Sequence, residues 1–427
     1  MIQELKIKNF LSFKDEATFS FEATKNKKYE DYQVVEVAPN VRLLRLAIVY
    51  GANGSGKTNL IRAFDFLRQF WEKTSNNEED STTAIPFMLD KQTRFEPCQF
   101  SLTCYIGATK YVYALELTFQ RVTSERLSFY PDSQPVLIFD RSFNNGVTEI
   151  TFNERYTQIS QIANDEIVEK CVPRMSVISA YKQVSMSLPE MEAFVGWMQD
   201  QFFIVVKPEM YFQHIAEPLI EKDQSLKEFM VNFLYKTDFG IVDIFSNNTE
   251  EKVDKNVMSL IMKNKNIPEE EKMKLKKEKT YQRTNTSFIH RVTNEEGEVE
   301  YFGVLKMYES DGTLKALGLA CQIKSLVGKE AFMPIDNIES SLHPNLIEFF
   351  IEDFFKQKGQ SQLLLTTHYD GLLDKDDLLR RDSIWFAEKG ANGSTALFHL
   401  SRFKGIKKIT SLQKAYNCGT FGAIPYI

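Results

Sequence analysis

Residues 51–58 of the chain, GANGSGKT, have the residue types and the spacing of a phosphate-binding loop. Lys57 in such a loop neutralises the charge of the β- and γ-phosphates, and Thr58 gives its hydroxyl to Mg²⁺. The residues predicted to contact a nucleotide here are Asn53, Gly54, Ser55, Gly56, Lys57, Thr58 and Asn59. The loop therefore predicts a site for a nucleoside triphosphate, taken here as ATP, and Mg²⁺.

The segments on either side of this loop fit the same interpretation. Residues 44–50, LRLAIVY, are apolar and favour a buried strand, and residues 59–68 have apolar side chains at helical spacing. A strand, a glycine-rich turn and a helix N-terminus bring several backbone N–H groups and a positive dipole end to one place. The alternative, a glycine-rich turn with a chance lysine, explains neither flanking element.

A second group of residues could complete the chemistry. Residues 332–336, FMPID, predict a buried strand that ends in Asp336, a carboxylate suited to the Mg²⁺ that Thr58 holds. Residues 362–366 predict a neighbouring strand, followed by Thr367 and His368. We expect His368 to sense the γ-phosphate, although many strands end in Asp and a lone histidine at a strand end is often structural.

A third group, residues 308–313 (YESDGT), directly precedes a predicted helix. Ser310, Gly312 and Thr313 at a helix N-terminus would form another anion-binding end. One nucleotide site has no need of a second phosphate cradle, whereas a site shared by two protomers does. The alternative is a simple N-cap, because Ser and Asp are good capping residues, and both roles are compatible.

Residues 51–58, 309–313, 335–344 and 366–368 together resemble an ATP-binding-cassette ATPase of the RecF, SMC and overcoming-lysogenization-defect branch. More narrowly, the chain resembles the prokaryotic AAA15 abortive-infection ATPases, also through residues 7–13 and 414–425. The resemblance implies a head that forms a homodimer around two ATP molecules. It also implies a role in defence against phage beside a separately encoded effector, a toxin or a nuclease.

One position departs from the pattern of this family. The residue after the carboxylate-strand Asp is usually a glutamate that acts as the general base, but here it is Asn337. An amide can orient a water molecule but cannot take its proton, so we expect ATP binding to persist and hydrolysis to be slow. Glu339 is a conceivable substitute, disfavoured by its place in the following turn. Leu11 stands where relatives often have a basic residue, and Gln183 is a weak candidate for the glutamine that couples the lobes.

Composition limits the remaining classes of protein. The chain has 427 residues, is 43% hydrophobic and lacks an apolar run long enough to span a membrane, so no membrane partner is expected. Its five cysteines are scattered without metal-ligand spacing, which favours a reducing cytoplasm over a disulfide framework. The formal net charge of −6 argues against a globally basic nucleic-acid binder but allows a local basic groove.

The pattern of predicted elements indicates an α/β fold. We expect an ABC-ATPase head with a mixed central sheet, an antiparallel β lobe over about 95–150 and an inserted helical domain. The predicted domains are residues 1–152 for the N-terminal half of the head, 153–285 for the helical insertion and 286–427 for the C-terminal half. Within the insertion, 195–205, 215–235, 252–263 and 268–279 have apolar or charged residues at helical spacing.

Two functions stay open at this point. The first is an ATPase switch in phage defence that controls a partner effector. The second is a RecF-like clamp on DNA, supported only by Arg283 and the lysines of residues 272–279. The simpler interpretation of these lysines is a solvent-exposed helix in which they pair with glutamates. A transporter motor and a GTPase are disfavoured, because residues 310–312 depart from the transporter signature and no guanine-recognition motif is present.

Overall fold

The computed structural model describes residues 1–74, 80–153, 159–207, 220, 222–236, 240–263, 269–278 and 280–425. Their strands, in chain order, are β1 (Ile2–Lys8), β2 (Ala17–Ser20), β3 (Val34–Ala38), β4 (Val41–Leu44), β5 (Leu46–Tyr50), β6 (Cys98–Ile106), β7 (Thr109–Leu117), β8 (Val122–Tyr130), β9 (Val136–Asn144), β10 (Val147–Phe152), β11 (Ile241–Lys252), β12 (Thr280–Thr293), β13 (Val299–Leu305), β14 (Phe332–Ile335), β15 (Gln362–Thr366), β16 (Ile384–Lys389) and β17 (Thr395–His399).

Helices of the described residues are α1 (Glu30–Gln33), α2 (Lys57–Glu72), α3 (Gln161–Lys170), α4 (Val177–Tyr181), α5 (Pro189–Gln201), α6 (Gln224–Lys236), α7 (Lys255–Lys263), α8 (Glu269–Glu278), α9 (Asp311–Leu326), α10 (Pro344–Lys356) and α11 (Leu412–Asn417). None of the described helices is long and apolar enough to cross a membrane. The chain forms two compact units. The first spans 1–209, 326–340 and 351–427, and the second spans 210–325 and 341–350.

The first unit contains the central sheet that positions the predicted nucleotide loop. Its strand order is β14–β15–β5–β16–β17, with parallel pairing except between β16 and β17. Every residue of β5 and β15 is buried, which explains their continuous apolar sequences. In such a sheet the strand ends that follow β5, β14 and β15 meet at one edge, where open α/β sheets bind their ligands.

A seven-stranded antiparallel sheet, ordered β10–β9–β8–β7–β6–β1–β2, forms the rest of the first unit's β structure together with the β3–β4 ribbon. Helix α2 contacts both sheets through aromatic side chains. Phe64 packs on Phe332 of β14 with ring centroids 4.8 Å apart, and Trp71 packs on Tyr113 of β7 at 5.3 Å. The helix that follows the nucleotide loop is therefore held by burial on two sides.

The second unit combines helices with a three-stranded antiparallel sheet, β11–β12–β13. Helix α6 packs beside β11, where Lys227 pairs with Asp243 at 2.8 Å. Strand β11 contradicts the prediction that the chain is helical from about 153 to 279. Branched and aromatic residues at its start favour a strand, and β12 supplies a long partner that the local sequence did not reveal.

The predicted elements near the nucleotide loop agree closely with the structure. Strand β15 has the expected bounds, and the antiparallel β lobe predicted over about 95–150 corresponds to β6 to β10. Strands β3 and β4, which precede the predicted strand of the nucleotide loop, were not predicted from the sequence. The predicted domain boundaries at 152 and 285 remain a prediction, and the two compact units follow different limits.

Candidate functional site

The predicted phosphate-binding loop connects β5 directly to α2 and is closely packed on its inner side. A Cβ atom on Gly51 would lie 2.3 Å from the carbonyl oxygen of Ala387, and one on Gly56 would lie 2.1 Å from Oγ1 of Thr395. Gly56 also has a φ of 106°, which side chains rarely adopt. Asn53 and Gly54 lie exposed at the tip of the loop, so its outer side is open to a ligand.

Lys57 is buried at the start of α2 and folds back over the loop. Its Nζ donates hydrogen bonds to the carbonyl oxygens of Gly51, at 2.7 Å, and Ala52, at 3.1 Å. Burial lowers the pKa of Lys57 to about 8, against the opposing effect of the Glu339 and Asp336 carboxylates. The loop therefore holds one cation in a partly desolvated position, where a bound phosphate would interact with it strongly.

The hydroxyl of Thr58 and the carboxylate of Asp336 come together as predicted for a Mg²⁺ site. Thr58 Oγ1 lies 3.2 Å from Asp336 Oδ1, which also accepts a 2.6 Å hydrogen bond from Thr366 Oγ1. Thr58 is exposed, whereas Asp336 is only 8% exposed. Two oxygen ligands suit Mg²⁺, which prefers to complete its coordination with water and substrate phosphates. The described residues contain no cluster of three or more metal-ligating side chains.

His368 and Glu339 meet beside these residues. Both carboxylate oxygens of Glu339 accept hydrogen bonds at 2.7 Å, one from Thr367 Oγ1 and the other from the backbone N–H of His368. Burial and the nearby Lys57 cation lower the pKa of His368, so its imidazole is mainly neutral at pH 7. The turn that made Glu339 an unfavourable candidate in the sequence thus places this carboxylate at the site.

Asn337 follows Asp336 in a left-handed conformation with φ of 55°. Asparagine tolerates this conformation better than most residues. Its backbone N–H donates to Thr366 Oγ1 at 2.8 Å, and its carbonyl accepts from the N–H of Ser340 at 2.9 Å. The half-buried amide therefore sits on a fixed backbone directly after the predicted metal ligand.

Ser12 and Thr395 support the loop and were not found from the sequence. Thr395 Oγ1 lies 2.7 Å from Ser12 Oγ and 2.8 Å from the carbonyl oxygen of Ser55. Asn59, predicted to contact the nucleotide, donates to Ser12 Oγ at 2.7 Å. Two segments distant in sequence thus fix the loop, and no local motif marks the two supporting hydroxyls.

A cleft of about 610 Å³ opens beside the loop. Ala52, Asn53 and Ser55 line one side, and residues 388–391 and 423–425 line the other. Glu388 accepts a 3.1 Å hydrogen bond from the N–H of Ala423, which holds the C-terminal segment in place. The C-terminal motif singled out in the sequence therefore reaches the nucleotide loop.

The third predicted group lies in the second unit. Ser310 Oγ accepts a 3.0 Å hydrogen bond from the N–H of Thr313 and lies 2.9 Å from its hydroxyl, so Ser310 caps α9. A Cβ on Gly312 would lie 3.0 Å from the carbonyl oxygen of Ser341, which favours glycine there. Glu309, just before the cap, is paired with His290 of β12 at 2.6 Å. The capping role is thus observed, and Ser310 itself remains exposed.

Two further positions can be placed. Leu11 has a φ of 51°, and its N–H donates to the carbonyl oxygen of Ile85 at 2.8 Å. Gln183 donates to the carbonyl oxygen of Ser179 at 3.1 Å, within its own segment. Its proposed coupling role stays a prediction.

Comparison with known proteins places these motifs in a family. A model of the family described as "AAA domain, putative AbiEii toxin, Type IV TA system" matches residues 46–374, a span that includes the nucleotide loop, Ser310, Asp336 and His368. No curated protein matches the chain in sequence.

Three solved structures have a low similarity to the chain. They are an SMC head bound to the C-winged helix domain of ScpA (12% identity, 97% of this chain and 99% of that chain, TM-score 0.45), an SMC head domain from Thermotoga maritima (13%, 93% and 98%, 0.39) and an SMC head with an extended coiled coil bound to the C-terminal domain of ScpA from Pyrococcus furiosus (12%, 98% and 98%, 0.41). The family model covers most of the sequence, so the chain belongs to this family of AAA domains, described as putative AbiEii toxin of type IV TA systems.

Proposed function

We propose that this protein is a cytoplasmic, ATP-dependent dimerising ATPase that acts as a switch in prokaryotic defence against phage and controls a separately encoded effector. The observation that carries the proposal is the assembly of Lys57, Thr58, Asp336 and His368 around one edge of the central sheet, with Thr58 and Asp336 3.2 Å apart. Lys57 and the loop N–H groups would bind the phosphates of ATP, and Thr58 and Asp336 would hold Mg²⁺.

ATP would join two protomers, because each supplies a different part of one site. The exposed loop tip at Asn53 and Gly54 leaves the outer face of the nucleotide free, and exposed Ser310 presents the N-terminus of α9. In this proposal Ser310, Gly312 and Thr313 of one protomer cap the γ-phosphate held by the loop of the other. Measurement of the mass in solution tests this: we expect monomers without ATP and dimers with ATP and Mg²⁺. Monomers under both conditions would contradict the proposal.

Hydrolysis in the dimer would be slow, because Asn337 cannot act as a general base. The ATP-bound dimer would then persist for a long time and would act as a state that a partner recognises. His368 would contact the γ-phosphate through its ring and report whether that phosphate is present. A DNA clamp remains the alternative, but Lys272 is buried, and the side chains of Lys274 and Arg283 and all of Lys279 lie outside the described residues.

ATP binding should weaken as the pH rises through the pKa of Lys57. Without ligand this pKa is about 8, and bound phosphates raise it, so ATP binding at higher pH must take up a proton. The dissociation constant of ATP should therefore increase about tenfold between pH 7 and pH 9, measured by titration calorimetry. Lys57→Arg is the matched control, because arginine stays charged and should flatten the dependence. An unchanged profile in wild type would mean that Lys57 does not contact the phosphates.

Strand β13 offers a surface for the effector. It is an edge strand, and Tyr301, Phe302, Met307 and Tyr308 in and after it are each more than half exposed. Exposed apolar edges of this kind pair with other proteins. Four glutamates surround the preceding turn, at 295, 296, 298 and 300. The fitting partner is therefore an effector that adds an apolar strand flanked by basic residues.

This surface can be tested with the protein encoded beside this one. We expect that protein to co-purify with wild type, and the double variant Tyr301→Lys/Phe302→Lys to lose it while ATP-dependent dimers persist. Val147→Lys is the matched control, since Val147 is an exposed apolar residue on another edge strand, β10. Equal co-purification by both variants would exclude β13 as the docking strand, and ATP-independent self-association through β13 would assign it to a second copy instead.

A further inference from the structure

Positive charge is concentrated at one end of this acidic chain. Residues 389–427 contain six Lys or Arg and no Asp or Glu, although the whole chain has a net charge of −6. Four of the six lie within 402–408. A second acid-free stretch, residues 24–28, contains three lysines. The fold brings these two segments together.

The two basic segments form opposite walls of a groove of about 730 Å³ in the first unit. Thr24, Lys25 and Asn26 of the first segment line the groove together with Arg381 and Asp382. From the second segment the lining residues are Leu400, Ser401, Phe403, Gly405, Ile406 and Lys408. The groove is separate in composition from the nucleotide site, as none of its lining residues belongs to the loop or to the Asp336 and His368 segments. The groove and its charges are present whether or not the proposed function is correct.

Buried ionic contacts hold both walls in place. Asp382 accepts hydrogen bonds from the N–H and hydroxyl of Thr24, at 2.9 and 2.6 Å, and pairs with the buried Arg380 at 2.6 Å. Arg380 also donates to the carbonyl of Asn26 at 2.9 Å, and Arg381 donates to the carbonyl of Ile406 at 2.7 Å. These contacts anchor both segments to the buried Arg380–Asp382 pair and to Arg381.

The cations at the rim are uncompensated. Lys25 and Lys408 of the groove lining are exposed, as are Arg402 and Lys404 in the same segment as Lys408, and in the described part of the chain the side chains of these four residues have neither an ion pair nor a hydrogen bond. The acids near them are already neutralised, Asp382 by Arg380 and Asp376 by Arg381. A row of free cations on both sides of a fixed groove attracts a ligand that carries many negative charges.

We propose that this groove binds the sugar–phosphate backbone of a nucleic acid. Lys25 and Lys408 contact successive phosphates across the groove. The aromatic residue of the groove lining is Phe403. Its ring packs against the rings of Phe398 and Phe421, with centroids 5.7 and 5.1 Å apart, so it is not free to stack on a base. Binding is consequently independent of sequence and strongly dependent on salt.

Fluorescence anisotropy of the full-length chain with labelled nucleic acids tests this proposal. The probes are a single-stranded DNA of about 20 nucleotides, the RNA of the same sequence and the corresponding DNA duplex, which distinguish the possible sources of the backbone. Wild type should bind at least one probe with an affinity that falls steeply between 50 and 200 mM salt, as expected for roughly three to five phosphate contacts.

The decisive comparison is between two double charge reversals. Lys25→Glu/Lys408→Glu should weaken binding at least about tenfold and should reduce the salt slope by about 2. Lys91→Glu/Lys182→Glu, which makes the same charge change at two exposed lysines outside the groove lining, should stay within about twofold of wild type. Thermal melting and ATP-dependent dimerisation, which both variants should retain, show separately whether the fold and the proposed switch are intact.

Two results would overturn the assignment. One is equal weakening by both double variants, which would indicate general electrostatic attraction. The other is absence of binding to all three nucleic-acid probes. If vesicles containing phosphatidylserine bind instead, and Lys25→Glu/Lys408→Glu removes that binding, the groove is assigned to a membrane surface.

Discussion

Asn337→Glu should increase the turnover number for ATP about 100-fold, measured as phosphate release with saturating ATP and Mg²⁺. A positioned general base contributes roughly 10² to 10⁴ in rate, and the amide of Asn337 cannot accept a proton. The backbone of Asn337 is fixed by hydrogen bonds to Thr366 and Ser340, directly after the carboxylate proposed to hold Mg²⁺. A glutamate side chain there extends from the same fixed point towards water at the γ-phosphate.

The matched control is Asn337→Gln. Glutamine has the size of glutamate and meets the same left-handed backbone, with φ of 55°, so both variants carry a similar stability cost of about 1 kcal/mol. Only glutamate gains basicity, and glutamine should leave turnover within a few fold of wild type. Equal rates for both variants would mean that position 337 does not face the attacking water.

Glu339 provides the competing explanation and a separate test. Its carboxylate is held by Thr367 and by the N–H of His368, and it lies close enough to Lys57 to influence its pKa. If it were the base, Glu339→Gln would remove the residual activity of wild type, and Asn337→Glu would add little. We expect instead that Glu339→Gln mainly disturbs the position of His368, with the gain from Asn337→Glu preserved.

The nucleotide loop could be predicted because its information is local. A buried strand, three glycines and a lysine at fixed spacing, and the first turn of α2 are contiguous in sequence. Asp336 and His368 were predictable for a related reason, since Asp336 directly follows one apolar strand of the parallel sheet and His368 lies two residues after the end of another. Pairing through β15 then brings all three strand ends together.

The supporting residues could not be predicted, because their contacts span most of the chain. Thr395 is separated from Ser12 by 383 positions, and each looks like an ordinary hydroxyl residue in its own segment. Glu339 was disfavoured as a site residue because the sequence does not show the path of the turn after β14, and that path decides where the Glu339 side chain points. Strand β11 was missed because its partner β12 lies beyond two helices, α7 and α8.

Lys57→Ala and Ser310→Arg should each abolish ATP-dependent dimers, but for different reasons. Loss of the buried cation at Lys57 should weaken ATP binding about 100-fold or more, equivalent to roughly 3 kcal/mol. Ser310→Arg should leave ATP binding to the monomer unchanged, since Ser310 belongs to the part that is proposed to serve the neighbouring protomer. Its large side chain would block the turn that faces the γ-phosphate. Solution mass and nucleotide binding together separate the two effects.

Ser160→Arg is the matched control for the second substitution. Ser160 is also an exposed serine that caps a helix, α3, through the N–H of Ala163. Its replacement also removes a cap, which costs about 1 kcal/mol, and introduces the same arginine outside the signature turn. ATP-dependent dimers should persist in this variant. Their loss would show that dimerisation responds to any weakened helix cap.

An equimolar mixture of Lys57→Ala and Ser310→Arg protomers should recover dimers that neither variant forms alone. A heterodimer of the two contains one site with both substitutions and one site with neither, because Lys57 and Ser310 of a single site come from different protomers. If both residues served the same site from one protomer, every site in the mixture would carry a defect and no recovery would occur. Complementation in the mixture therefore depends on the shared site and not on the stability of either variant.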